Sequence, residues 1–207
     1  GSISIGGATG GRANRVVVEG GATIVSQSSG ELFAMSGKSV HGNAGNIVID
    51  AEVMRIDSDG EVAVDTVNGR GGRIDLRVGA LRIAGGGEIV ASTTGQGDAG
   101  DITVSDGDGG RTGFVEISGN DSIIESESTA SGAAGRAGNV TLAADRLVVT
   151  DRGRINVPTV DGEGGSVTMD VDQLAVTLGA RIEAKTAGIG DAGSIRINPD
   201  GAPATTV

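Results

Sequence analysis

Apolar residues in this chain recur at every second position in short runs, and a glycine-rich corner opens each run. The sharpest example is Gly97-Asp98-Ala99-Gly100-Asp101-Ile102-Thr103-Val104, which returns as Gly190-Asp191-Ala192-Gly193-Ser194-Ile195-Arg196-Ile197. Looser copies begin at Gly42, Gly71, Gly135 and Gly164. With Gly1, Gly45, Gly72, Gly100, Gly138, Gly165 and Gly193 as openers, the units measure 44, 27, 28, 38, 27 and 28 residues. Period-two alternation is that of a strand with one buried face. Each opener is followed by an inward pair, segment A: Ile3/Ile5, Ile47/Ile49, Ile74/Leu76, Ile102/Val104, Val140/Leu142, Val167/Met169 and Ile195/Ile197. Segment B follows with Val16/Val18, Met54/Ile56, Leu81/Ile83, Val115/Ile117, Leu147/Val149 and Leu174/Val176. Segment C starts at Ile24, Val62, Ile89, Ile124, Ile155 and Ile182, and its later inward positions shrink to Ala, Val or Ser and then to Ser or Thr.

Three short strands repeating every 27 or 28 residues describe a coil, and stacked coils make a solenoid. The fold expected is all-β: a right-handed parallel β-helix with three strands per coil and three parallel sheets around a narrow apolar interior. Residues 1–207 form one domain of six coils and a partial seventh. The 30 positions at both inward sites of A and B and the first of C, over six coils, are all Val, Ile, Leu or Met. At about 4.8 Å per coil the body is on the order of 30 Å long. Its two ends are open sheet edges, which predict further coils or caps in a longer parent protein and a capacity for end-to-end self-association. The column Ser28, Thr66, Thr93, Ser128, Thr159, Thr186 faces inward by the alternation and predicts a hydroxyl ladder that bonds corner backbone.

Insertions obey a three-coil super-repeat. In the units opening at Gly1 and Gly100 the A-to-B step grows from seven residues to 13, and the C-to-A corner lengthens as well. Paired loops result, Gly6 to Arg15 with Gly30 to His41 and Asp106 to Gly113 with Thr129 to Arg136, flanking segment A. Specific recognition is expected there, with Arg12, Asn14, Lys38, His41, Asp106, Asp108, Arg111 and Arg136 as interaction residues. The tail from Asn198 starts a third round.

Composition narrows the chemistry. Glycine at 39 residues against three prolines reads as corners, and the only aromatic residues are Phe33 and Phe114, so the core is aliphatic. No cysteine is present, which removes disulfides, thiolate metal sites and a cysteine nucleophile. A formal charge of −11 without a Lys/Arg run argues against nucleic acid and anionic membranes as partners. No apolar run approaches a membrane span, and Gly1-Ser2-Ile3 does not open a signal segment.

Sites for catalysis, a cofactor or a metal are not expected. The single histidine, His41, has no carboxylate at a fixed offset. Asp106-Gly107-Asp108-Gly109 lacks the ligand series of a calcium loop, and Gly95-Gln96-Gly97-Asp98-Ala99-Gly100 precedes no helix that could receive a phosphate. The outward columns Asp50, Arg77, Ser105, Ala143, Asp170, Asn198 and Gln27, Asp65, Ser92, Glu127, Pro158, Lys185 do not stack carboxylates on adjacent coils. Glu125 and Glu127, on one coil, offer at most a weak cation site.

The corner Gly42-Asn43-Ala44-Gly45-Asn46-Ile47, the Leu-x-Ile/Val runs before a glycine and isoleucine at 81–89, 147–155 and 174–182, and the corners at 93–100 and 186–193 resemble the repeat region of filamentous-haemagglutinin-like exoproteins of the two-partner secretion pathway. The resemblance covers essentially the whole chain. It implies an extracellular or cell-surface location in bacteria, export of the parent protein through an outer-membrane partner, and a role as an adhesin or filament shaft facing a receptor or glycan. The family's N-terminal secretion domain has no counterpart here, and no catalytic residues carry over. Two other readings stand beside it: a carbohydrate-binding or polysaccharide-cleaving β-helix with a groove along segment A, and an ice-binding protein.

Overall fold

The computed structural model describes residues 1–6, 11–28, 31–33, 39–107, 109–129, 135–198 and 205–206. Coil 1 holds β1 (Ile3–Ile5), β2 (Ala13–Glu19) and β3 (Thr23–Ser28), then the antiparallel pair β4 (Glu31–Phe33) and β5 (Ser39–His41). Coil 2 holds β6 (Ile47–Asp57) and β7 (Glu61–Thr66), and coil 3 holds β8 (Ile74–Ala84) and β9 (Glu88–Thr93). Coil 4 is split again into β10 (Ile102–Ser105), β11 (Thr112–Ser118) and β12 (Ile123–Ser128). Coil 5 has β13 (Val140–Thr150) and β14 (Arg154–Thr159), and coil 6 has β15 (Val167–Val176) and β16 (Arg181–Thr186). Coil 7 opens with β17 (Ile195–Ile197) and β18 (Thr205–Thr206). All ladders between coils are parallel, so the chain is a β-solenoid, and the described residues contain no helix.

Two hydrogen-bonded parallel sheets result, where three were expected. Segments A and B are separate strands only in the enlarged coils, while in coils 2, 3, 5 and 6 they run on as one strand within a ten-stranded sheet. The reason lies in the odd step of seven. Strict alternation would turn Met54 to the opposite face from Ile47, so the phase slips once, at the consecutive outward residues Glu52 and Val53. Asp145 and Arg146 repeat the slip in β13, as do Asp172 and Gln173 in β15. A bend takes the place of a break, and the ladder passes through it with Ala51 level with Val78 and Val53 level with Ala80. A third inward residue precedes each bend: Ala51, Val78, Ala144 and Val171, all fully buried. The C strands form the second sheet, in the order β16-β14-β12-β9-β7-β3.

The register confirms the inward columns. Ile47, Ile74, Ile102, Val140 and Val167 stack in line, as do Val62, Ile89, Ile124, Ile155 and Ile182. Burial is complete in coils 2–5 and fails at the ends, where Val176, Ile195 and Ile197 are exposed. Between segments B and C the chain reverses in tight turns, closed in coil 2 by Gly60 N–H donating to Asp57 O at 3.0 Å and in coil 5 by Gly153 N–H donating to Thr150 O at 2.9 Å.

At the C-to-A corner the opening glycines touch backbone to backbone. A Cβ on Gly45, Gly72, Gly100, Gly138, Gly165 or Gly193 would run into the carbonyl oxygen of the opener one coil earlier. The motif glycines therefore serve close approach. Hydroxyls complete the corner from inside, as expected, except in coil 3, where the Thr93 hydroxyl is buried without a partner. Gly69 N–H donates to Thr66 Oγ1 at 3.1 Å, Gly162 N–H to Thr159 Oγ1 at 3.1 Å, and Thr186 Oγ1 donates to Asp191 O at 3.1 Å. Ser126 is fully buried, its Oγ donating to Gly100 O at 2.8 Å and accepting from Gly138 N–H at 2.9 Å. Replacing it by alanine strands two buried backbone groups, so Ser126→Ala is expected to cost about 1–3 kcal/mol, read as a lower midpoint in urea denaturation.

Candidate functional site

Outside the corner, the motif's Asn and Asp side chains reach forward one coil. Asn43 Oδ1 accepts from Arg70 N–H at 2.9 Å, Asn46 Oδ1 from Arg73 N–H at 2.9 Å, Asp98 Oδ1 from Arg136 N–H at 3.0 Å and Asp101 Oδ1 from Asn139 N–H at 2.9 Å. These residue types recur because each caps a backbone N–H that the curved corner would leave unpaired. The arginines of the intervening coils project past them. Together they line an open trough of about 300 Å³ that crosses the corner from Asn46 through Arg70, Arg73, Asp98 and Asp101 to Arg136 and Asn139. Ion pairs bind its walls, Arg73 to Asp101 at 3.9 Å and Arg136 to Glu163 at 2.9 Å. The trough offers donors and acceptors for hydroxyl-rich ligands. It contains no hydroxyl or thiol nucleophile beside a base.

Of the described residues expected to mediate recognition, Arg136 lies in this trough. Arg12 and Arg111 occupy equivalent places at the ends of the two A-to-B insertions, and both turn back onto the stack. Arg12 Nη1 lies 2.6 Å from Asp106, Nε lies 2.9 Å from Asp50, and Nη2 donates to Ala51 O at 2.8 Å. Arg111 Nη1 lies 3.0 Å from Asp172, and Nη2 donates to Ala144 O at 2.9 Å. These contacts make Arg12, Asp106 and Arg111 anchors of the insertions. Asn14 is exposed on β2, beside Ala13, which is level with Ala51. Lys38 and Asp108 lie outside the described residues, and of His41 only the strand backbone, paired with Glu31, is described.

Carboxylates do stack, on a column that the sequence reading passed over. The outward residues that open the C strands are in register as Thr23, Glu61, Glu88, Ile123, Arg154 and Arg181. Glu61 and Glu88 are therefore neighbours on adjacent coils. This outer face is largely covered, since Ala63, Asn156 and Pro158 are buried although they point outward. Burial, with Asp65 behind it, raises the Glu61 carboxyl above its ordinary range, and burial followed by Glu61 and Asp121 raises that of Glu88. Glu127 is raised by burial against the pull of Lys185. Glu125 is pushed up to about 7, first by burial and then by Glu127 and Glu88, with Arg154 and Lys185 opposing. Its Oε1 accepts a long 3.4 Å bond from Asn156 Nδ2, while Asn156 Oδ1 is buried without a partner. The signal that could have located this column was the residue directly before each C-strand isoleucine or valine.

Among the described residues no group of three or more His, Cys, Asp and Glu side chains could hold a metal ion, and no helix is long and apolar enough to cross a membrane. No family model, no curated protein and no solved structure matches the chain.

Proposed function

We propose that this chain is a structural and adhesive module, a stiff β-solenoid shaft of a large secreted or cell-surface bacterial exoprotein, without chemistry of its own. One observation carries the reading: side chains and backbone alike are spent on stacking identical coils. The inward columns supply apolar contact, the opening glycines allow close approach, and hydroxyls and Asn/Asp side chains satisfy the corners. Such a body gains rigidity from each neighbour contact and sets distance by coil number. Export of the parent through an outer-membrane partner, and a receptor or glycan at its surface, belong to the same proposal. Incubation with uronic-acid polysaccharides should release no product, and catalytic release would sink the proposal.

The trough from Asn46 to Asn139 favours a second reading, glycan binding without cleavage, because its Asn, Asp and Arg side chains suit hydroxyl recognition. Aromatic platforms for sugar rings are missing from its lining. A glycan array probed with the whole chain tests it, and a blank array retires it. Ice binding would need a hydroxyl array facing solvent, whereas four of the six Ser/Thr residues in the expected column are buried; a measurement of thermal hysteresis tests that reading.

A further inference from the structure

The ridge where segment B turns into segment C carries a charge order that stacking does not require. Its register column reads Glu61, Glu88, Ile123, Arg154, Arg181 over coils 2–6, with two like charges at each end and an apolar residue between them. Like charges directly opposite one another on adjacent strands are destabilising. Among the described residues, Arg154 has Asp121 at 3.5 Å and no ion pair is found for Arg152 or Arg181. Arg152, Arg154 and Arg181 converge with Asn120 and Gly179 on an open groove of about 280 Å³, in a protein of net charge −11.

Two residues on this ridge are also poor choices for their backbone. The two central turn positions carry positive φ in coils 1, 2, 3, 5 and 6: Gly20 and Gly21, Ser58 and Asp59, Gly85 and Gly86, Asp151 and Arg152, Leu178 and Gly179; in coil 4 Gly119 and Asp121 do. Small or short polar residues tolerate that conformation, whereas Leu178 at φ 51 and Arg152 at φ 68 pay for it in strain. Leu178 is 75% exposed, so its side chain contributes little to the turn or the core. Positive φ at Arg152 and Leu178, beside the arginine groove, is a second feature that stacking does not require.

We propose that the protein pairs with a second copy of itself along this ridge, antiparallel, with the arginine end of each copy seated on the carboxylate end of the other. The geometry is self-complementary. Both ends have the same spacing of about 4.8 Å between adjacent coils. A two-fold axis at the level of coil 4 therefore sets Arg154 against the other copy's Glu88 and Arg181 against its Glu61, and repeats both contacts by symmetry. Ile123 is 4% exposed, so the copies meet at the turns and not across the sheet face. Leu178, one residue outside the arginines, then covers the turn at Ser58 and Asp59. Exposed ion pairs are individually weak, so the pairing is concentration-dependent and sensitive to salt.

Sedimentation equilibrium of the whole chain tests the proposal. The dimer should form at low ionic strength, with a dissociation constant at least about tenfold weaker in 0.5 M NaCl. R154E/R181E alone and E61R/E88R alone should each be monomeric, and a one-to-one mixture should restore the dimer, because every contact in the mixed pair again joins opposite charges. Leu178→Asp, on a fully folded background, should weaken pairing as well and provides a check if a charge variant fails to fold. A wild-type chain that stays monomeric in low salt, a mixture that stays monomeric, or an arginine groove that binds added inorganic sulfate while the chain remains monomeric would each overturn it.

Discussion

Gly100→Ala should abolish the fold or lower its stability by more than about 4 kcal/mol, while Gly113→Ala leaves it nearly unchanged. Both glycines are small and neither has a positive φ, so propensity alone does not separate them. What differs is the neighbour. A Cβ on Gly100 would overlap the Gly72 carbonyl oxygen and crowd its carbon, whereas one on Gly113 meets Gly79 O at 3.4 Å, an ordinary contact. Gly72 cannot retreat, because Gly45 lies as close on its other side and Ile74 N–H holds Asp101 O at 3.0 Å just beyond the corner. Moving coil 4 away would open the ladders of Ile102 to Ser105 with β8 and of Ile123 to Ser128 with β9 together. Urea denaturation of the two variants decides the matter, and equal midpoints would show that the glycine column is decoration.

Much of this was legible in the chain because a solenoid repeats its physics. One coil's alternation is weak, but seven openers at related spacings fix which Ile, Val and Leu share a column, and the ladders follow that alignment residue by residue. The hydroxyl column was readable for the same reason. Less legible was how A joins B. A step of seven between inward residues fits a break followed by a new strand, and it fits equally a continuous strand with one phase slip. The second option keeps the backbone of Glu52 and Val53 in the ladder, and it needs an inward Ala51 or Val78 that the two-residue pattern leaves uncounted. Site chemistry was the least legible. Arg12 and Arg111 look free in a loop, and only their placement over Asp50 and Asp172 shows them as anchors. Glu61 and Glu88 stand 27 residues apart, and their pairing depends on knowing that C strands, and not only A strands, stay in register.

The outer face of the C sheet leads to a stability that should fall as pH rises. Glu125 titrates in the folded protein at about 7, against 4.5 ordinarily. A carboxyl raised by folding stabilises the fold fully while both states are protonated, below about pH 4.5, and that contribution drains away as pH climbs to about 7. Above pH 7 the folded chain holds a half-buried charge beside Glu127 and Glu88, opposed by Arg154 and Lys185. Asn156 supplies one long hydrogen bond, and its oxygen cannot help an ionised carboxylate. After allowance for the water that reaches the group, the loss between pH 5 and pH 8.5 is on the order of 2 kcal/mol. Glu61, Glu88 and Glu127 shift in the same direction and add to the slope. Glu125→Gln keeps the acceptor for Asn156 and removes the charge, so it should match the wild type at pH 5, exceed it at pH 8.5 by roughly that amount, and flatten the profile between. Urea midpoints of both proteins across this range provide the measurement. A Glu125→Gln profile that parallels the wild type would assign the slope to the remaining carboxylates and deny that the outer face of coil 4 is dry enough to hold a neutral acid at neutral pH.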